Sequence, residues 1–176
     1  MKHAFRSLFL LLFAASCAAQ TNDVCNLNLN EAPALFNLRL GMSPEDVQAA
    51  FGRDLKIKIK KNRNRVFFQN FVKEPAPQIL SSVRALYLRF FDRKLYDIEI
   101  FYEDKPEIKT AEDFTRYLSA TLKLPDLWQD ERNKQTINCA DFSIFADKIL
   151  NPRVELVDRA TTVKAEEFLE KQKKKN

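Results

Sequence analysis

Val83-Arg84-Ala85-Leu86-Tyr87-Leu88-Arg89-Phe90-Phe91-Asp92-Arg93-Lys94-Leu95-Tyr96-Asp97-Ile98-Glu99-Ile100-Phe101-Tyr102-Glu103 is the stretch on which the fold turns. Residues 83–91 and 95–103 both read as strands. Asp92-Arg93-Lys94 separates them as a turn. With Phe91 opposite Leu95, Arg89 faces Asp97, Phe90 faces Tyr96 and Leu88 faces Ile98. Opposite charges then meet on one face and apolar side chains on the other. A slip of one residue would disrupt both sets, so the pattern predicts an antiparallel hairpin in this register.

Upstream, Leu55, Ile57 and Ile59 alternate with Lys56, Lys58 and Lys60, which predicts a strand with a cationic outer face. Lys61 to Asn64 reads as a connection and residues 65–73 as a further strand, broken by Pro75 and Pro77. Leu35 to Leu40 alternates over a short span and predicts another strand. Between them, Ser43 is a good N-cap, Pro44 suits the first helical position and Asp46 completes a capping box. Val47, Ala50 and Phe51 form an apolar stripe, and Gly52 can end a helix spanning about 44–51.

Downstream, Thr110 and Asp113 form a second capping box, and Phe114, Tyr117, Leu118 and Leu122 share one face of a helix over 110–122. One strand is expected within 136–149 around Cys139, Phe142, Ile144 and Ala146, and another at 153–157. Residues 161–175 read as a charged, frayed helix. Hairpins dominate, so the class is α+β: a single, mainly antiparallel sheet of about five to seven strands with two helices on one face, plus a charged C-terminal helix.

The N-terminus carries an address. Lys2 and Arg6 precede an apolar run from Leu8 to Ala15, followed by Ser16-Cys17-Ala18-Ala19, the order of a secretory signal peptide. The run is far short of the ~20 residues of a membrane span. Four units follow: a signal over 1–19, a polar tether over 20–34, a globular domain over 35–160 and a tail over 161–176. Cutting near Ala18 or Ala19 discards Cys17, whereas lipoprotein processing would cut before Cys17 and lipidate it as an anchor. Either cut leaves Cys25 and Cys139 as a pair in an oxidising compartment.

Removal of the signal also takes His3, the only histidine. Histidine-based triads and histidine zinc sites are then excluded, and two cysteines cannot build a structural zinc site. With two glycines in the chain, no glycine-rich phosphate loop can form. Neither a cofactor, a metal nor a catalytic residue is assigned. Asp97 and Glu99 read as a solvated pair on one strand face, with Arg89 as partner to Asp97. Trp128, among Asp126, Asp130 and Glu131, reads as a core anchor ahead of a sugar-stacking platform.

The candidate binding feature is the basic ridge Lys56, Lys58, Lys60, Lys61, Arg63 and Arg65. Alternate lysines on a strand project ~6.6 Å apart, and such a row suits phosphates, an anionic glycan or an acidic protein. The plain alternative is a solvated edge strand that lysines guard against aggregation. Nucleic acid is not expected as a partner of an exported chain.

Leu38-Arg39-Leu40-Gly41-Met42-Ser43-Pro44-Glu45-Asp46-Val47, running on to Phe51-Gly52, resembles the turn–helix opening of the SmpA/OmlA group, the small lipoprotein of the outer-membrane barrel-assembly machinery. It is similar too to the opening of the β-lactamase-inhibitor-type fold. The resemblance implies a helix packed on an antiparallel sheet, in a bacterial periplasmic, outer-membrane-anchored or secreted protein. It assigns no partner-binding residue. The leading expectation is an exported, non-enzymatic binding or scaffold module of the envelope, contacting an acidic protein or an anionic surface. A secreted inhibitor of an extracellular enzyme comes second, and a carboxylate-dependent hydrolase third.

Overall fold

The computed structural model describes residues 24–50, 65–69, 83–103, 108–131, 134–148 and 151–175. Seven strands lie among them: β1 (Arg65–Gln69), β2 (Val83–Phe91), β3 (Lys94–Tyr102), β4 (Gln129–Glu131), β5 (Lys134–Asn138), β6 (Phe142–Asp147) and β7 (Arg153–Asp158). They form one sheet in the order β1-β2-β3-β7-β6-β5-β4, with every neighbouring pair antiparallel. Three helices accompany it: α1 (Pro44–Ala50), α2 (Ala111–Leu122) and α3 (Arg159–Lys173). The class is α+β, with a helix at the C-terminal end.

The central hairpin keeps the two contacts that charge and hydrophobicity predict, Arg89 opposite Asp97 and Leu88 opposite Ile98. Its tip differs from expectation. Phe91 pairs with Lys94 and Phe90 with Leu95, so Tyr96 is an extra residue on β3. A two-residue turn causes this: Asp92 and Arg93 take φ of 47° and 60°, a left-handed pair whose twist suits a tight hairpin. The bulge absorbs the residue by which the tip is offset.

One face of the sheet carries Leu86, Leu88, Phe90, Ile98, Ile100, Ile144, Val154 and Leu156, all fully buried. Onto it packs α2 through Phe114 and Leu118, the Phe114 ring meeting Tyr102 edge-on at 5.8 Å. Each such buried side chain contributes about 2 kcal/mol. The helix starts where the sequence places it: Thr110 accepts from the Asp113 N–H, and Asp113 accepts from the Thr110 N–H. Ser43 and Asp46 cap α1 in the same reciprocal way, and Val47 joins the core.

Helix α3 begins at its N-cap Asp158, which accepts from the Thr161 N–H. By alternation along β2, Phe91 lies on the side of Arg89, opposite the core face. Its ring meets Phe168 of α3 at 5.8 Å, so α3 lies against the side of the sheet that α2 leaves.

Two expected strands are corrected. Leu35 to Leu40 is a tight turn: Leu35 and Leu38 exchange backbone hydrogen bonds of 3.0 and 2.8 Å around Phe36 and Asn37, at φ 58° and 61°. The alternation of Phe36, Leu38 and Leu40 with Asn37 and Arg39 thus belongs to a turn, whose bonded ends Leu35 and Leu38 are buried. Residues 136–149 hold two strands, β5 and β6, folded back at Cys139-Ala140-Asp141. The short polar strand β4, exposed throughout, escaped the hydrophobic pattern.

Residues 24–34, the described end of the expected polar tether, lie on the domain. Cys25 is joined to Cys139. The Ala140 N–H donates to the Leu27 carbonyl and the Leu29 N–H to Asp141. The signal segment, Cys17, residues 20–23 and the predicted strand at 55–60 lie outside the described residues.

Candidate functional site

The face opposite the core gathers charge. Strand alternation puts Arg89 on β2, Asp97 and Glu99 on β3, Arg153 and Glu155 on β7 and Asp147 on β6 on this side. The register makes them neighbours: Arg89 opposite Asp97, Glu99 opposite Glu155, and Arg153 opposite Asp147.

Glu99 joins the two halves of this ladder. Its Oε2 accepts from Arg89 Nη2 at 3.2 Å and its Oε1 from Arg153 Nη1 at 2.8 Å. Arg89 also hydrogen-bonds Asp97 and lies 3.7 Å from Glu155 Oε1. Arg153 grips Asp147 Oδ2 through Nη2 at 2.7 Å and Nε at 2.8 Å. The Arg153 guanidinium also lies 5.8 Å from the Phe101 ring centroid, and Phe101 meets Tyr87 edge-on at 5.6 Å.

The solvated pair expected at Asp97 and Glu99 is corrected here. These residues are 1% and 5% exposed, because guanidiniums from β2 and β7 lie over them. Burying a carboxylate without a cation costs several kcal/mol, and the two arginines offset that cost.

Four carboxylates share two guanidiniums, and the imbalance falls on Glu155. Burial, then repulsion from Glu99, pushes its pKa above the usual carboxylate range, against the opposing pull of Arg153, Arg89 and Lys134. For Arg153, burial works against the charge, but attraction and hydrogen bonding to Asp147, with Glu155 and Glu99 behind, raise its pKa on balance. Lys134 lies 5.9 Å from the Phe145 ring centroid on the same side of the sheet.

The ladder's chemistry is cohesion between strands. Its carboxylates accept hydrogen bonds side by side on one surface, whereas a glycosidase sets two across a scissile bond. Among the described residues, no group of three or more His, Cys, Asp and Glu is placed to hold a metal ion. No helix among them is long and apolar enough to cross a membrane.

Of the basic ridge, Lys56, Lys58, Lys60, Lys61 and Arg63 lie outside the described residues. Arg65 opens β1, an end strand of the sheet, with its backbone paired to Arg89. Trp128 donates its indole N–H to Ser119 Oγ at 2.7 Å and packs against the core, while Asp126, Asp130 and Glu131 are exposed around it.

Arg153, Glu155 and Asp147 were missed as ladder members. The alternation Arg153-Val154-Glu155-Leu156 signals a polar face, but not that β7 pairs with β3, which is distant in sequence. The chain matches no protein-family model, no curated protein and no solved structure.

Proposed function

We propose that the chain is an exported, non-enzymatic binding module of the cell envelope that contacts an acidic protein or an anionic surface through its basic ridge. The observation that carries this reading is the charged ladder. The buried acids of the polar face engage arginine, which suits them to hold a surface rigid rather than to exchange protons with a substrate. The Cys25–Cys139 bond supports an oxidising compartment. The run of six cations from Lys56 to Arg65 supports the ridge as a contact, since clustered like charge favours an anionic partner.

The test is binding to anionic and to neutral vesicles and to an acidic polypeptide, for the mature chain and for K56E/K58E/K60E. Binding that charge reversal abolishes supports the reading. Equal binding by both chains overturns the ridge as its carrier. One observation favours a carboxylate-dependent hydrolase as a second reading: Glu155, with its raised pKa, stands beside Glu99. Hydrolysis of a glycan by the wild-type chain, lost in E155Q, would favour that reading.

A further inference from the structure

Helix α3 bares an apolar pair close to its lysine-rich end. Its inward stripe runs through Ala165, Phe168, Leu169 and Gln172, the i, i+3, i+4, i+7 spacing of one helical face. Ala165 is 4% exposed, whereas Phe168 and Leu169, one turn later, are 43% and 50% exposed. Among the described residues, the Phe168 ring meets Phe91 at the hairpin tip. The stripe is thus least covered at Phe168 and Leu169. Of the four large apolar side chains exposed among the described residues, three belong to α3: Val163, Phe168 and Leu169.

After the bared pair and Glu170 come Lys171 and Lys173, with Lys174 and Lys175 just past the helix end. Lys171 lies 3.9 Å from Glu167 and Lys173 2.9 Å from Glu170. These pairs are exposed, so an anionic surface can compete for the lysines. Lysine stems can lie along an apolar surface while their ammoniums stay in water.

We propose that the second half of α3 is a docking element for an anionic lipid surface, with Phe168 and Leu169 entering the headgroup region and the four lysines engaging the headgroups. Charge complementarity selects the occupant. The size of the apolar patch selects lipid over protein: a helix that seats in a protein groove presents anchors over two or more turns, whereas two anchors and a lysine cluster suffice for a yielding, charged interface. The proposal shares with the ridge reading only the anionic character of the partner, and rests on different residues.

The test is co-sedimentation of the mature chain with vesicles of phosphatidylglycerol and phosphatidylcholine, and with vesicles of phosphatidylcholine alone. Four chains are compared: wild type, K171Q/K173Q/K174Q/K175Q, L169S and K56E/K58E/K60E. The wild type is expected to sediment with the anionic vesicles only. Each lysine contributes roughly a fivefold factor in partitioning, so the quadruple variant should lose binding. L169S, at an exposed position, keeps the fold by circular dichroism and should bind at least fivefold more weakly, while K56E/K58E/K60E retains the part due to α3. Wild-type binding that is absent, equal on neutral vesicles, or unchanged in the quadruple variant overturns the proposal. So does displacement of α3 from the vesicles by an acidic polypeptide, which would make the occupant a protein. Loss confined to K56E/K58E/K60E would overturn this proposal while leaving the ridge reading standing.

Discussion

Glu99 and Glu155 stand directly opposite one another on neighbouring strands, and they share the guanidinium of Arg89, which lies 3.2 Å from one and 3.7 Å from the other. Two like charges at adjacent cross-strand positions repel. The sheet tolerates them because Arg89 and Arg153 bracket Glu99.

Stability should therefore depend on pH through Glu155. Its pKa is raised in the folded state by burial and by Glu99, so the native chain takes up a proton before the unfolded chain does. Its contribution is most favourable at acidic pH and falls as pH rises through the raised value. E155Q removes that slope. Urea unfolding of both chains from mildly acidic to neutral pH should give curves that diverge towards neutrality, with the variant relatively more stable there. Parallel curves would refute it.

Removing Arg153 should cost far more than removing an exposed arginine. R153M leaves Asp147 and Glu99 buried without one of their cations, a loss of about 3 kcal/mol. Arg93, paired with Glu45 at the surface, should be replaceable by alanine with no measurable change in the urea midpoint. The double variant R153M/D147L should recover part of the loss, as apolar groups of similar size replace a buried pair.

The disulfide should act as a staple. Its cysteines are 114 residues apart, and closing a loop of that length limits the unfolded chain by about 5 kcal/mol. C25A/C139A should lower stability by up to that amount. Hydrogen exchange should show residues 24–34 losing protection ahead of the central strands, since few other hydrogen bonds hold them.

Helix α2 offers a graded test of local and tertiary terms. T110A removes the capping oxygen and should cost about 1 kcal/mol. L118A empties a fully buried site and should cost about 3 kcal/mol. Thermal or urea melts that rank them in reverse would show that the cap, not the packing, holds the helix.

Much of the fold could be read locally. Both capping boxes, the central hairpin and α2 follow from short-range chemistry, because caps and strand alternation are set by neighbours within a few residues. The tip register, the turn at Phe36-Asn37 and the split of β5 from β6 were not readable that way. Left-handed residues other than glycine leave weak marks in a sequence, and a buried alternation looks the same in a turn as in a strand.

By itself the sequence determined the starts of α1 and α2, the apolar face of the sheet, the pairing of Arg89 with Asp97 and the choice of Cys25 and Cys139 as partners. Each rests on side-chain type and spacing. Only the tertiary structure decided that β7 lies between β3 and β6, and hence that Arg153 and Glu155 meet Glu99. It alone decided that Asp97 and Glu99 are buried, and that Phe168 and Leu169 of α3 are left exposed while Ala165 is covered. Those outcomes depend on which distant strands come together, and the free energy that selects them, burial of one continuous core, is spread over the whole chain.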